Sequence, residues 1–248
     1  MSDDRPTPTD TARASARAVH DVAAAFMLDM DTYAVGAEAG YDGIAFYYGG
    51  RGGVLGDVDA DVVTAALVFF PAGTVRTGWE QAGTVESRAA GAERFAAVGH
   101  GWARDHLPEG ALDYARLAAL AGRVEQAADA ADAPVFAGWR ALPEPTGDRE
   151  LALHRMNALR ELRAARHGVE VLAAGIEPVE ALMVRTPYMA DIFGWPEPRP
   201  EPDEELRERW QAAEDATDRR FGRDLAVLDA AQRAEFVELA EAARLAIT

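Results

Sequence analysis

The chain has 248 residues, 49% of them hydrophobic, and a formal net charge of −17 at pH 7. That is enough apolar material to bury a full core, in one large domain or two closely packed helical halves, while the summed negative field repels phosphate polymers and anionic membranes. All 25 basic residues are arginine and no cysteine is present, which excludes lysine-based covalent chemistry, disulfides, thiolate metal ligands and thiol nucleophiles.

The opening MSDDRPTPTD carries no apolar run, so neither a signal peptide nor a transit peptide is expected. No segment offers the roughly 18 uninterrupted apolar residues of a spanning helix. The expected location is cytoplasmic, with no nucleic acid and no membrane as partner.

Residues 1 to about 10 read as a disordered tail. From Thr11, the residues Val19, Val22, Phe26, Met30 and Tyr33 recur at helical steps and predict one core helix. Next comes GYDGIAFYYGGRGGVLG at 40–56, where glycines surround Phe46, Tyr47, Tyr48 and Arg51. No Gly-Lys-Ser/Thr follows and no βαβ pattern surrounds it, so it is not a phosphate or dinucleotide loop. Asp59 or Asp61 caps the apolar run 62–70, read as a helix because no second strand-like run lies nearby to pair with it. Pro71 suits the first turn of the next helix.

Helical patterns continue over 84–106 and 113–131. PEPTGD at 143–148 reads as the hinge between an N-terminal helical domain, 11–142, and a C-terminal one, 148–248. In the second, Asp148 caps a helix through His167 that Gly168 closes, and short helices follow over 168–174 and 177–185. Asp203 caps a long helix through Trp210 and Phe221. Asp229 and Gln232 make a capping box for the last, ending near Leu245. The expected fold is all-α, with two packed helical halves.

Five prolines fall between positions 187 and 202, alternating in WPEPRPEP at 195–202. Proline removes backbone donors and disfavours helix in the preceding residue, so this stretch is expected to be extended. No recognition helix fits after Trp195, and the short helix possible over 188–194 carries no basic residue.

The order VHDV at 19–22, GYDGIAFYYGGRGGVLG at 40–56, DVVTAALVFFP at 61–71, LRELRAARHGVEVLAAGIEPVEAL at 159–182 and EDATDRRF at 214–221 resembles an actinobacterial all-helical family labelled helix-turn-helix-like and related to winged-helix proteins. The resemblance implies an all-helical N-terminal part and a degenerate winged-helix-related C-terminal unit. This chain departs from the pattern after Gly194-Trp195, where prolines and a long helix replace a recognition helix and wing. It departs again at Leu162-Arg163-Ala164-Ala165, where the family has a His-Arg-Gly-Asp-like stretch. His20, Tyr47, Arg51, His154, Arg160, Glu161, Arg163 and His167 occupy matching positions, and the resemblance attaches no role to them.

Two clusters carry candidate chemistry. His154, Asn157 and Glu161 sit at i, i+3 and i+7, one stripe of a helix, beside Leu151, Met156, Leu159 and Leu162. Such a stripe either lines a ligand cavity, with His154 as general acid/base and Glu161 as its catalytic partner, or forms a solvated flank. Tyr47, Tyr48 and Arg51 either bind a ligand through aromatic faces and an arginine fork, or pack a helix–helix corner. His20 and His167 complete the candidate ligand-binding set. His100, Asp105 and His106 are metal-ligand types, but residues 100 and 106 lie about 120° apart on a helix, so no metal site and no cofactor is expected. Ser15 and Ser87 lack any activating context.

Three functions compete. The first is a small-molecule-binding helical protein, a binder or an enzyme using His154 and Glu161 in a pocket between the halves. The second is a winged-helix-type transcriptional regulator, opposed by the acidity, the prolines and the missing wing. The third is an interaction protein, a homodimer through C-terminal helices carrying Leu206, Trp210, Phe221, Leu225, Leu228, Phe236 and Leu239.

Overall fold

A computed structural model describes residues 6–247, and among them every regular element is an α-helix. The expected all-α class is what the chain adopts. In order these are α1 (Pro8–Leu28), α2 (Met30–Ala39), α3 (Ala45–Gly53), α4 (Ala60–Leu67), α5 (Ala72–Val85), α6 (Arg88–His106), α7 (Tyr114–Ala127), α8 (Pro134–Arg140), α9 (Asp148–Ala173), α10 (Pro178–Arg185), α11 (Met189–Phe193), α12 (Glu204–Leu225) and α13 (Ala230–Ala246).

Of the segment expected to be a tail, residues 1–5 lie outside the described residues. Thr7 and Asp10 form a capping box, so α1 starts at Pro8 rather than near Thr11. The expected single helix through Tyr33 is broken at Asp29. Its Oδ1 accepts from the Asp31 N–H at 2.9 Å and its Oδ2 from Trp102 Nε1 at 2.9 Å. The break turns Met30 outward, where it is 77% exposed rather than part of the core. The pattern over 84–106 is likewise two helices, parted at Glu86 and Ser87, with Ser87 capping α6.

The largest difference is α9, which passes through Gly168 and runs 26 residues to Ala173. A Cβ at 168 would stand 2.9 Å from Val68 Cγ2, so this glycine serves close approach rather than chain reversal. The left-handed stop is Gly175, at φ 67°. Val68 itself ends α4 with φ 58°, where Phe69 N–H donates to Leu67 O at 2.7 Å in a γ-turn. That turn sets Phe69 against the His167 ring and Phe70 against Tyr47.

Helix α9, about 39 Å long at 1.5 Å per residue, is the axis of the fold. It packs on α1, α6, α7, α8 and α12, while α3 fits between α5 and α6. The main core takes residues from both sides of the 143–148 segment, among them Phe26, Phe46, Phe95, Leu120, Trp139, Met156 and Phe236. A smaller cluster of Val171, Ile176, Ala181, Leu206 and Ala213 seats α10 on α9 and α12. The expected caps at Asp203 and Asp229 are in place. Residues 195–203 are non-helical between α11 and α12. No helix among the described residues is long and apolar enough to cross a membrane.

Candidate functional site

The nine residues of α3 are all buried, which is why its glycines matter. A Cβ on Gly50 would stand 2.4 Å from the Phe95 side chain, and one on Gly53 would stand 2.4 Å from the Arg88 carbonyl oxygen. Only glycine lets α3 lie this close to α6. The approach carries Arg51 into the interior, where it faces α9.

There the stripe His154, Asn157 and Glu161 is buried along its whole length, at 3%, 1% and 2% exposure. It is not a solvated flank. Its two ends are chemically unlike each other.

The Glu161 end is saturated. Arg51 donates through Nε to Oε1 at 2.8 Å and through Nη2 to Oε2 at 2.7 Å. Arg160 adds a bond to Oε1 at 2.7 Å, and Arg51 Nη1 donates to the Tyr47 hydroxyl at 2.6 Å. Burial alone would raise the Glu161 carboxyl, but the charges of Arg51 and Arg160 and their hydrogen bonds hold it below its ordinary value. Both oxygens are occupied and the charge is compensated, so this carboxylate is poorly disposed to take up a proton. Tyr48, beside Tyr47, is fully buried with its hydroxyl unpartnered, and burial pushes that hydroxyl above its ordinary range.

The other end is unsaturated. His154 Nδ1 lies 3.1 Å from Nε2 of His100, on α6. The remaining ring nitrogen, His154 Nε2, and both polar atoms of the Asn157 amide are buried with no protein partner. These residues line a cavity of about 10 Å³ together with Phe26, Ala96, Gly99, Trp139 and Leu153. That is room for one water-sized group. Half-buried His100 stands at its rim. Burial, then the neighbouring His100, lowers His154 to about 4, and burial also lowers His100, so both rings are neutral near pH 7.

The structure therefore joins Tyr47 and Arg51 to Glu161, and joins His154 to His100. It does not place His154 and Glu161 in a hydrogen-bonded pair. His20 is elsewhere, on the outer face of α1, with its side chain 61% exposed and Nδ1 3.0 Å from Asp21 Oδ1. It joins neither end of the stripe. His167 belongs to the α9–α12 seam, where Nδ1 lies 3.2 Å from Thr217 Oγ1 and 3.3 Å from Glu214. Around it runs an ion ladder, with Arg163 on Glu214 and Asp218, Arg166 on Asp224 and Arg220 on Glu170. His106 stacks on Trp102 at 4.7 Å, with its Nδ1 3.1 Å from the Trp102 carbonyl oxygen. Sequence reasoning missed His100 as that partner, because 54 positions separate the two histidines and no periodicity links α6 to α9.

A family model described as a helix-turn-helix family matches residues 12–214. No curated protein and no solved structure matches the chain.

Proposed function

The chain belongs to the helix-turn-helix family, and from that premise we propose that it is a small-molecule-binding protein built on the family's helical body, with no DNA reader of its own. The observation that carries this reading is the unsaturated end of the α9 stripe. An unpartnered buried polar group costs about 1–3 kcal/mol, and here three such atoms belong to two residues that line one cavity. Native proteins keep few of these, and each calls for a strained, catalytic or bound-group explanation.

In this reading the Arg51–Glu161 pair is the pillar that holds α3 to α9. His154 and Asn157 meet the ligand, and Phe26 and Trp139 flank it. The cavity admits one water-sized group; a larger ligand enters by parting α6 from α9 at the His100 rim. If a reaction is run here, His154 is its acid–base group, with His100 rather than Glu161 behind it.

Two measurements test this. Native mass spectrometry of freshly purified protein is expected to show a retained mass that denaturation releases. Titration with acetamide, urea, phenol and imidazole, followed through the Asn157 side-chain amide and Trp139 indole resonances, is expected to give a saturable shift that Asn157→Leu abolishes. A bare-chain mass together with no saturable shift for any probe overturns the reading.

Family membership by itself favours a second reading, a DNA-binding regulator. Against it stand α11, only 5 residues long and without a basic side chain, and the non-helical, proline-rich stretch that follows. Fluorescence anisotropy of duplex DNA at sub-micromolar protein decides it. A salt-dependent rise would put the regulator reading first.

A further inference from the structure

We propose that His100 and His154 form a two-imidazole proton relay between solvent and the buried cavity, an inference that rests on the small-molecule reading only for what finally occupies that cavity. Three features of the geometry support it. The two rings face each other through single nitrogens 3.1 Å apart, so one hydrogen bond joins them and one nitrogen on each ring points away. On His154, which lines the cavity, the outward nitrogen, Nε2, is buried and unpartnered. On His100, half-buried at the rim, the outward nitrogen is Nδ1, which is not among the buried unpartnered atoms.

The hydrogen bond between neutral imidazoles has two directions, and each fixes the tautomer of both rings. When His100 Nε2 donates, His154 carries its proton on Nε2 and presents a donor to the cavity. When His154 Nδ1 donates, Nε2 presents a lone pair. Transfer inward proceeds as follows. A solvent proton binds His100 Nδ1, the Nε2 proton passes to His154 Nδ1, and the Nε2 proton of His154 passes to an acceptor in the cavity. One proton enters and one is delivered. Both rings end neutral in the other tautomer, and the reverse sequence resets them. The occupant is a group that can take or yield one proton or hydrogen bond, such as a carbonyl, hydroxyl or amide.

The surroundings keep the relay neutral. Glu144 and Arg155 are the charged groups acting on His154, and Glu150 and Arg104 those acting on His100. Each ring thus feels one charge of each sign, and burial outweighs them. Asn157 shares the cavity but is not bonded to either ring, which makes its amide an internal control.

The test uses ¹⁵N-labelled full-length protein without ligand and measures solvent exchange of the His154 ring N–H and of the Asn157 side-chain NH₂. His100→Phe is expected to slow the His154 exchange by about tenfold or more while leaving Asn157 unchanged, because relay and cavity opening are separate routes to solvent. His100→Gln, which keeps a polar rim but cannot pass a proton between two ring nitrogens, is expected to do the same. Equal changes at both sites, or no change at His154, overturn the relay. Since no ligand is added, that failure is distinct from the bare-chain result that would overturn ligand binding.

Discussion

Arg51 on α3 and Glu161 on α9 meet as a two-pronged ion pair in the interior, at 2.8 and 2.7 Å, although 110 positions separate them in the chain. Removing one partner leaves an uncompensated buried charge, so Arg51→Met or Glu161→Leu is expected to destabilise the fold by about 3–5 kcal/mol. The double replacement Arg51→Met with Glu161→Leu is expected to recover much of that loss. Urea unfolding of the four proteins measures the coupling. Strictly additive losses would mean that the pair does not act as a unit.

A pH dependence follows from His154. Its folded value, about 4, lies below the ordinary imidazole value near 6.5, so between the two the unfolded chain binds more protons. The stability this residue contributes is therefore complete above about pH 6.5 and drains away as pH falls towards 4. Glu125 acts in the opposite sense. Burial pushes it up to about 7, so its contribution is complete at low pH and is lost as pH rises towards 7. The difference between wild type and His154→Gln isolates the histidine. Wild type is expected to lose on the order of 2–3 kcal/mol relative to the variant between pH 7.5 and 4.5, measured by denaturant unfolding at both values. A constant difference would show that His154 does not titrate in that window.

Asn157→Leu replaces an unpartnered amide with an apolar group of similar volume. The variant is expected to be more stable by about 1–3 kcal/mol and to lose the saturable response to the amide probes, trading function for stability. Thermal unfolding reads the first effect. A variant less stable than wild type would show that the amide already has a resident hydrogen-bond partner.

Gly53→Ala tests the seat of α3. The new Cβ would stand 2.4 Å from the Arg88 carbonyl oxygen, a backbone atom that cannot swing aside as a side chain can. A loss of about 1–3 kcal/mol or more is expected, with Arg51 displaced from Glu161. Gly43→Ala, where the space is open but φ is 45°, is the comparison. Unchanged stability for Gly53→Ala would mean that the close approach of α3 to α6 does not require glycine at this position.

The all-α class, the caps at Asp203 and Asp229 and the non-helical proline stretch were legible because each rests on residues within one turn of each other. So was the alignment of His154, Asn157 and Glu161 on one face of a helix. Gly168 misled for a related reason. A glycine in a helical pattern has two uses, ending the helix or admitting a neighbour, and only the position of Val68 distinguishes them.

What the amino-acid sequence determined by itself is thus the helical body, the absence of lysine and cysteine chemistry, and the stripe as a line of polar groups. Tertiary structure decided what that line meets. The glycines of α3 bring Arg51 to one end and satisfy it, while α6 brings His100 to the other and leaves Asn157 and one nitrogen of His154 unpartnered. Periodicity sets the direction a side chain takes from its own helix, because that is a local dihedral property. The groups waiting for it depend on chain closures of 54 and 110 residues, which no local pattern encodes.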